Sequence, residues 1–179
     1  MPRLTLLPLR RGRRAASLLA AAATTAACLT AVAAPSATAA TPRCTTAKLL
    51  GEFKKPSAGA GSRFVNLVLT NHTRKSCSVF NYPGAQLLGK TNAELPTQIV
   101  RDRSRTPKTV VLKPGESAES AWRWGAIAGR GEPTKGPCEI TPARIEITPP
   151  NDFQHLVLPW RMGPVCERGT ITVRPMIKP

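Results

Sequence analysis

The 179-residue chain carries 26 Lys and Arg against ten Asp and Glu, with two His and one Tyr, for a net charge of +16. Two histidines and ten scattered carboxylates leave little material for a metal centre or a paired acid–base site. One Tyr, no basic stretch interleaved with aromatics and no groove-reading helix pattern argue against sequence-specific nucleic-acid binding.

Residues 1–39 read as a signal peptide. Arg3, Arg10, Arg11, Arg13 and Arg14 open the chain without an acid, Ala15 to Ala34 is small or apolar, and Ala37-Thr38-Ala39 supplies a small-residue cleavage site. A second reading is lipidation at Cys28, because Thr25-Ala26-Ala27 places small residues ahead of that cysteine. An uncleaved anchor is a third, since the apolar run exceeds the roughly 7 to 15 residues usual in export signals. The five leader arginines bring no acid with them, so residues 40–179 keep +11 of the charge. A field of that sign attracts polyanions through salt-sensitive forces. Secreted, and outside the cytoplasm, the chain is expected to meet phosphate-bearing wall polymer or an anionic lipid surface; a lipid anchor on the outer face of the membrane is the alternative.

Residues 40–179 form a single expected domain of short strands. Ala47 to Phe53 alternates and makes a first strand, with Lys54 to Ser62 as a loop. Val65, Leu67 and Leu69 share one face of a central strand ending at Asn71, followed by a cysteine strand at Cys77 to Phe80, a Tyr82-Pro83-Gly84 corner and a strand at Ala85 to Leu88. Gly89 to Arg105 is polar, with one short strand around Gln98 to Val100. Thr109 to Leu112 and Ala118 to Trp124 read as a hairpin closed by Lys113-Pro114-Gly115-Glu116, where Pro presets one central residue and Gly accepts positive φ at the next. Ile145 with Ile147, then Leu156, Leu158 and Trp160, and finally Ile171 with Val173 complete eight to ten strands. No sustained period near 3.6 appears. The fold class is all-β, an antiparallel two-sheet β-sandwich in immunoglobulin-like style, with a barrel as the alternative.

Leu69-Thr70-Asn71, Cys77 and Tyr82-Pro83-Gly84 resemble the signature of a secreted actinobacterial family called domain of unknown function 4232. Cys44 ahead of Gly59-Ala60-Gly61, Leu112 with Pro114-Gly115, Ala118 through Trp124, and Cys138 with Cys166 follow in that family's order. The resemblance implies a small disulfide-bonded β domain outside the membrane, and it supplies no activity or catalytic residues to carry over. Cys44, Cys77, Cys138 and Cys166 allow three disulfide pairings, and an oxidising compartment favours bridges over thiols. Loop entropy does not choose, since loops of about 30 residues give on the order of 3.5 kcal/mol and longer ones only tenths more. Cys44–Cys77 with Cys138–Cys166 joins segments close in sequence, and the resemblance favours it. No C-x-x-C spacing supports zinc.

Catalytic candidates are few. Gly115-Glu116-Ser117-Ala118-Glu119 falls short of a nucleophile elbow because Glu119 replaces the second Gly, and Ser117 follows a turn into a strand rather than a helix. His72 and His155 read as surface residues. Trp122 and Trp124 share one strand face and read as core rather than as a ligand clamp. The densest basic run supplies a possible anion-binding loop of Arg101, Arg103, Arg105 and Lys108. A non-catalytic module that binds anionic envelope material is therefore expected, with no cofactor. The alternatives are a protein-binding or structural envelope domain and, distantly, a secreted hydrolase.

Overall fold

The period-two alternation of the sequence is carried directly into burial. Along β7 (Ser117–Gly125), Ala118, Ser120, Trp122 and Trp124 are buried, while Ala121 and Arg123 between them face water. The computed structural model describes residues 40–179, so the segment 1–39 read as a signal peptide, with Cys28, lies outside the described residues. In chain order the strands are β1 (Leu49–Gly59), β2 (Ser62–Asn71), β3 (Cys77–Val79), β4 (Gly84–Leu88), β5 (Gln98–Arg101) and β6 (Val110–Leu112), then β7, β8 (Arg144–Thr148), β9 (Leu156–Pro159) and β10 (Thr170–Val173). One layer is a five-stranded sheet in the order β1-β2-β7-β10-β5; facing it are a three-stranded sheet, β4-β8-β9, and the pair β3-β6. The all-β sandwich is thus the observed architecture. Among the described residues no helix is long and apolar enough to cross a membrane.

One core fills the space between the layers. Val65, Leu67 and Leu69 of β2 and Ile171 and Val173 of β10 meet Ile145 and Ile147 of β8, Leu87 of β4 and Leu112 of β6, all essentially without solvent contact. Trp122 and Trp124 are 1% and 2% exposed, which places both in the core, as the alternation implies. They belong to an aromatic cluster: Phe53 stands edge-on to Trp122 and Trp160 with centroids at 5.8 Å, and Trp124 meets Trp160 at 4.9 Å. Such pairs add about 0.5–1.5 kcal/mol each beyond the area they bury. The Trp122 indole N–H donates to Ser120 Oγ at 3.1 Å, and the Ser120 hydroxyl in turn donates to the Arg174 carbonyl. A buried hydroxyl is thereby satisfied on both sides.

Cys44–Cys77 ties the segment before β1 to β3, with Cα atoms 4.9 Å apart, and Cys138–Cys166 ties the long β7–β8 connection to the lead-in of β10, at 5.5 Å. The second bridge abuts a left-handed turn in which Glu167, Arg168 and Gly169 have φ of 57°, 55° and 75°. Left-handed backbone costs a non-glycine residue roughly 1–2 kcal/mol, so the surroundings must impose it. The Glu132 carboxylate does so from across the loop, accepting from Arg168 N–H at 2.8 Å and Gly129 N–H at 2.6 Å. Gly169 is required there twice over, because a Cβ would also fall 1.8 Å from the Pro96 carbonyl oxygen.

The structure departs from the sequence reading in four places. β1 continues through Lys54-Lys55-Pro56 to Gly59 instead of ending at Phe53, and β2 opens at Ser62 rather than at Val65, so the expected loop is mostly ladder. A bulge between Lys54 and Ser57, with Lys55 at φ 53°, lets the ladder with β2 resume. Proline is tolerated because β1 is an edge, and the two lysines with the bulge also blunt that edge against further pairing. Thr46–Lys48 is a single 3-10 turn rather than the start of the strand. β5 pairs with β10 in parallel, so the sandwich is not wholly antiparallel.

The fourth departure concerns β6 and β7, which are not a hairpin. β6 pairs with β3, while β7 lies between β2 and β10 in the other layer. The Lys113–Glu116 turn itself forms, closed by Glu116 N–H to the Lys113 carbonyl at 3.0 Å with Gly115 at φ 79°, but it arches from one layer to the other. Asn71 turns it. Its backbone carbonyl accepts from Gly115 N–H at 2.8 Å and its N–H donates to the Glu116 carbonyl at 2.9 Å. Its buried side chain donates from Nδ2 to the carbonyls of Leu112 and Lys75, and accepts on Oδ1 from Thr73 N–H and Oγ1. One asparagine thereby fixes the end of β2, the link to β3 and the arch.

Candidate anion-binding site

The basic run of the sequence leaves β5 and doubles back toward β6, and it is pinned at its start. Asp102 N–H donates to the Val173 carbonyl, and its carboxylate accepts from Ser104 N–H and from Arg174 Nε, each at 2.9 Å. Hydrogen bonds from the Ser104 hydroxyl and N–H, and then from Arg174, hold the Asp102 carboxyl down at about 2. Tyr82 adds a hydrogen bond from its hydroxyl to the Asp102 carbonyl at 3.2 Å, and the Arg101 guanidinium lies 5.6 Å from the Tyr82 ring centroid.

The four candidate cations are exposed, and only two of them line a common cleft. Arg101 is turned onto Tyr82, and Arg103 stands on the exposed turn after β5. Arg105 and Lys108 instead line a cleft of about 520 Å³ whose floor includes Val110, Met176 and Ile177. Its third cation is Lys178, which local sequence did not flag. The chain end returns alongside β7 through reciprocal backbone hydrogen bonds between Glu119 and Ile177, which sets Lys178 beside the loop. Lys178 Nζ also meets Glu116 Oε1 at 2.9 Å. The Lys113 N–H and then the Lys178 ammonium lower the Glu116 carboxyl below its ordinary value, so this acid stays ionised. Three cations around an apolar floor, with one acid compensating one of them, can hold a multiply charged anion at the surface.

A family model described as Domain of unknown function (DUF4232) matches residues 44–177, a span that contains all ten strands and both disulfides. The chain belongs to the DUF4232 family. No curated protein and no solved structure matches it. Arg105 and Lys108 lie inside the DUF4232 span, and Lys178 stands one residue beyond it.

The remaining candidates of this DUF4232 domain are otherwise engaged. Ser117 Oγ shares a hydrogen bond with Thr70 Oγ1 at 2.8 Å across the β2–β7 ladder. His72 Nε2 lies 3.1 Å from the Ala47 carbonyl oxygen and His155 Nε2 lies 3.3 Å from Glu146 Oε1; both histidines are exposed. Glu132, Cys138 and Cys166 place potential ligand atoms within 4.8 Å of one another. The two sulfurs are bonded to each other, however, and a metal takes thiolates; Glu132 meanwhile holds the left-handed turn.

Proposed function

We propose that this DUF4232 domain works outside the cytoplasm as a non-catalytic binding module for anionic envelope material, either a phosphate-bearing wall polymer or a lipid surface. The observation that carries the reading is the convergence of Arg105, Lys108 and Lys178 on one cleft in a domain whose residues 40–179 hold +11. The two disulfides support the compartment, because such bonds persist where the environment is oxidising. Long-range attraction of this kind fades as the screening length falls from about 10 Å at 0.1 M salt to about 3 Å at 1 M. Retention of the purified protein on its host's envelope fraction should therefore fall as salt rises, and Arg105→Glu with Lys108→Glu should abolish it at low salt. Retention unchanged by both treatments would refute the reading.

A protein partner is the second reading. Phe153 stands 95% exposed between β8 and β9, and Phe80, whose carbonyl accepts from Asn151 Nδ2, is 43% exposed. Salt-resistant retention that Phe153→Ala removes would favour it.

A further inference from the structure

The inward face of β2 carries an unexpected residue. Val65, Leu67 and Leu69 point into the core, and Arg63 has the same parity, opposite Trp124 of β7. At this end of the sandwich a small cleft of about 110 Å³ is lined by Arg63, Trp124 and Arg161, with Ser57 and Phe64. Among the described residues Arg63 Nε and Trp124 Nε1 are both buried and both lack a hydrogen-bond partner. This contrasts with Trp122 and Trp160, whose indole N–H groups are satisfied by Ser120 and by the Gly163 carbonyl. Neither Arg63 nor Arg161 has an acidic partner among the described residues. An orphaned buried indole N–H beside two guanidinium groups without an acidic partner, one of them with its own buried Nε orphaned, calls for an acceptor that bears negative charge.

A second cleft, of about 470 Å³, shares Pro56, Arg161 and Met162 with the first. Phe53, Val65 and Leu158 make its wall predominantly apolar, and its volume lies in the roughly 300–1,000 Å³ range of small-molecule sites. Glu52, the one acid in either lining, is engaged by Lys54 at 2.7 Å. From these two adjoining clefts the geometry points to a binding site for a single-chain aliphatic carboxylate, its headgroup between Arg63 and Arg161 and its chain along Phe53, Val65 and Leu158. This site is separate from the Arg105–Lys108–Lys178 cleft and requires a tail, which a wall polymer or inorganic anion does not offer.

The test is titration of the purified protein, disulfides intact, with dodecanoate below its micellar concentration, read by intrinsic tryptophan fluorescence because Trp124 and Trp160 adjoin the site. Saturable binding is expected, strengthening about fourfold per added methylene from octanoate to dodecanoate. Dodecanol and inorganic phosphate should each bind at least about tenfold more weakly than dodecanoate, and Arg63→Gln should cost a similar factor, given the strength of hydrogen bonds to charged groups. Arg161→Gln, at the exposed rim, supplies the same readout should Arg63→Gln fail to fold. Arg105→Glu should leave dodecanoate affinity unchanged, so this site and the basic cleft stand or fall separately. Absence of saturable binding, equal affinity for dodecanol, or undiminished affinity in the arginine variants overturns the assignment.

Discussion

Replacing Asn71 by Ala should be among the most costly substitutions in the domain. The side chain makes four hydrogen bonds: Nδ2 to Lys75 O at 2.9 Å and Leu112 O at 3.0 Å, and Oδ1 from Thr73 N–H at 3.0 Å and Thr73 Oγ1 at 2.8 Å. Thr73 and Lys75 lie on an accessible link and can turn to water, so their share is about 0.5–1 kcal/mol each. The Leu112 carbonyl belongs to a fully buried residue and keeps the larger penalty, about 1–3 kcal/mol for an unsatisfied group. The sum is about 2–5 kcal/mol, a large part of the roughly 5–15 kcal/mol of an ordinary domain. Asn71→Asp sharpens the test. It keeps the shape but sets a carboxylate oxygen against two carbonyl oxygens, so its folded pKa is raised, and the variant is more stable below the unfolded value of about 3.9 and loses that stability as pH rises through the folded value. Urea unfolding of the disulfide-intact protein at pH 4 and pH 7 reads both effects. A loss below about 1 kcal/mol in Asn71→Ala, or an Asp variant as stable as the parent at pH 7, would refute the account of the corner.

Gly169→Ala should destabilise by several kcal/mol, since the added Cβ would collide with the Pro96 carbonyl; urea midpoints check it. Cys44→Ser with Cys77→Ser removes a bridge spanning 33 residues and should cost about 3.5 kcal/mol, also measured by urea unfolding. Asp102 stabilises the fold above its unfolded value near 3.8, and that contribution is lost as pH falls through about 2. Asp102→Asn should therefore lower stability at pH 6 and flatten its decline between pH 4 and pH 2. The Arg174 anchor of the basic loop should loosen with it, visible as faster amide exchange after β5.

Strand positions were legible because a half-buried sheet prints its period on the sequence, and each of the ten strands contains an alternating or short apolar run, although the exposed far half of β1, Lys54 to Gly59, carries none and reads as a loop. Partnership was not legible. Lys113-Pro114-Gly115-Glu116 has the chemistry of a tight turn, and that chemistry is the same whether the flanking strands pair with each other or part into two layers. What decides is Asn71, far away in sequence, which takes the backbone groups of the arch for β2. The basic loop was visible as composition, but only distance in space splits it, sending Arg101 to Tyr82 and Arg105 with Lys108 to Lys178. Arg63 had a local signal, because it shares parity with Val65, Leu67 and Leu69. Starting the strand at Val65 concealed it.

β10 lies between β7 and β5, and its neighbours on the two sides are both non-local in sequence. A ribosome or a translocation pore delivers the chain from its N-terminus, so the β1-β2-β7 portion emerges with its β10-facing edge open. β5 likewise waits for its parallel partner. The five-stranded sheet closes only after Val173 has appeared, and its late-arriving strand is an interior one rather than an edge. Folding of this domain is therefore deferred until almost the whole β region is free, and in the interval that open edge is the surface a holding chaperone would need to cover.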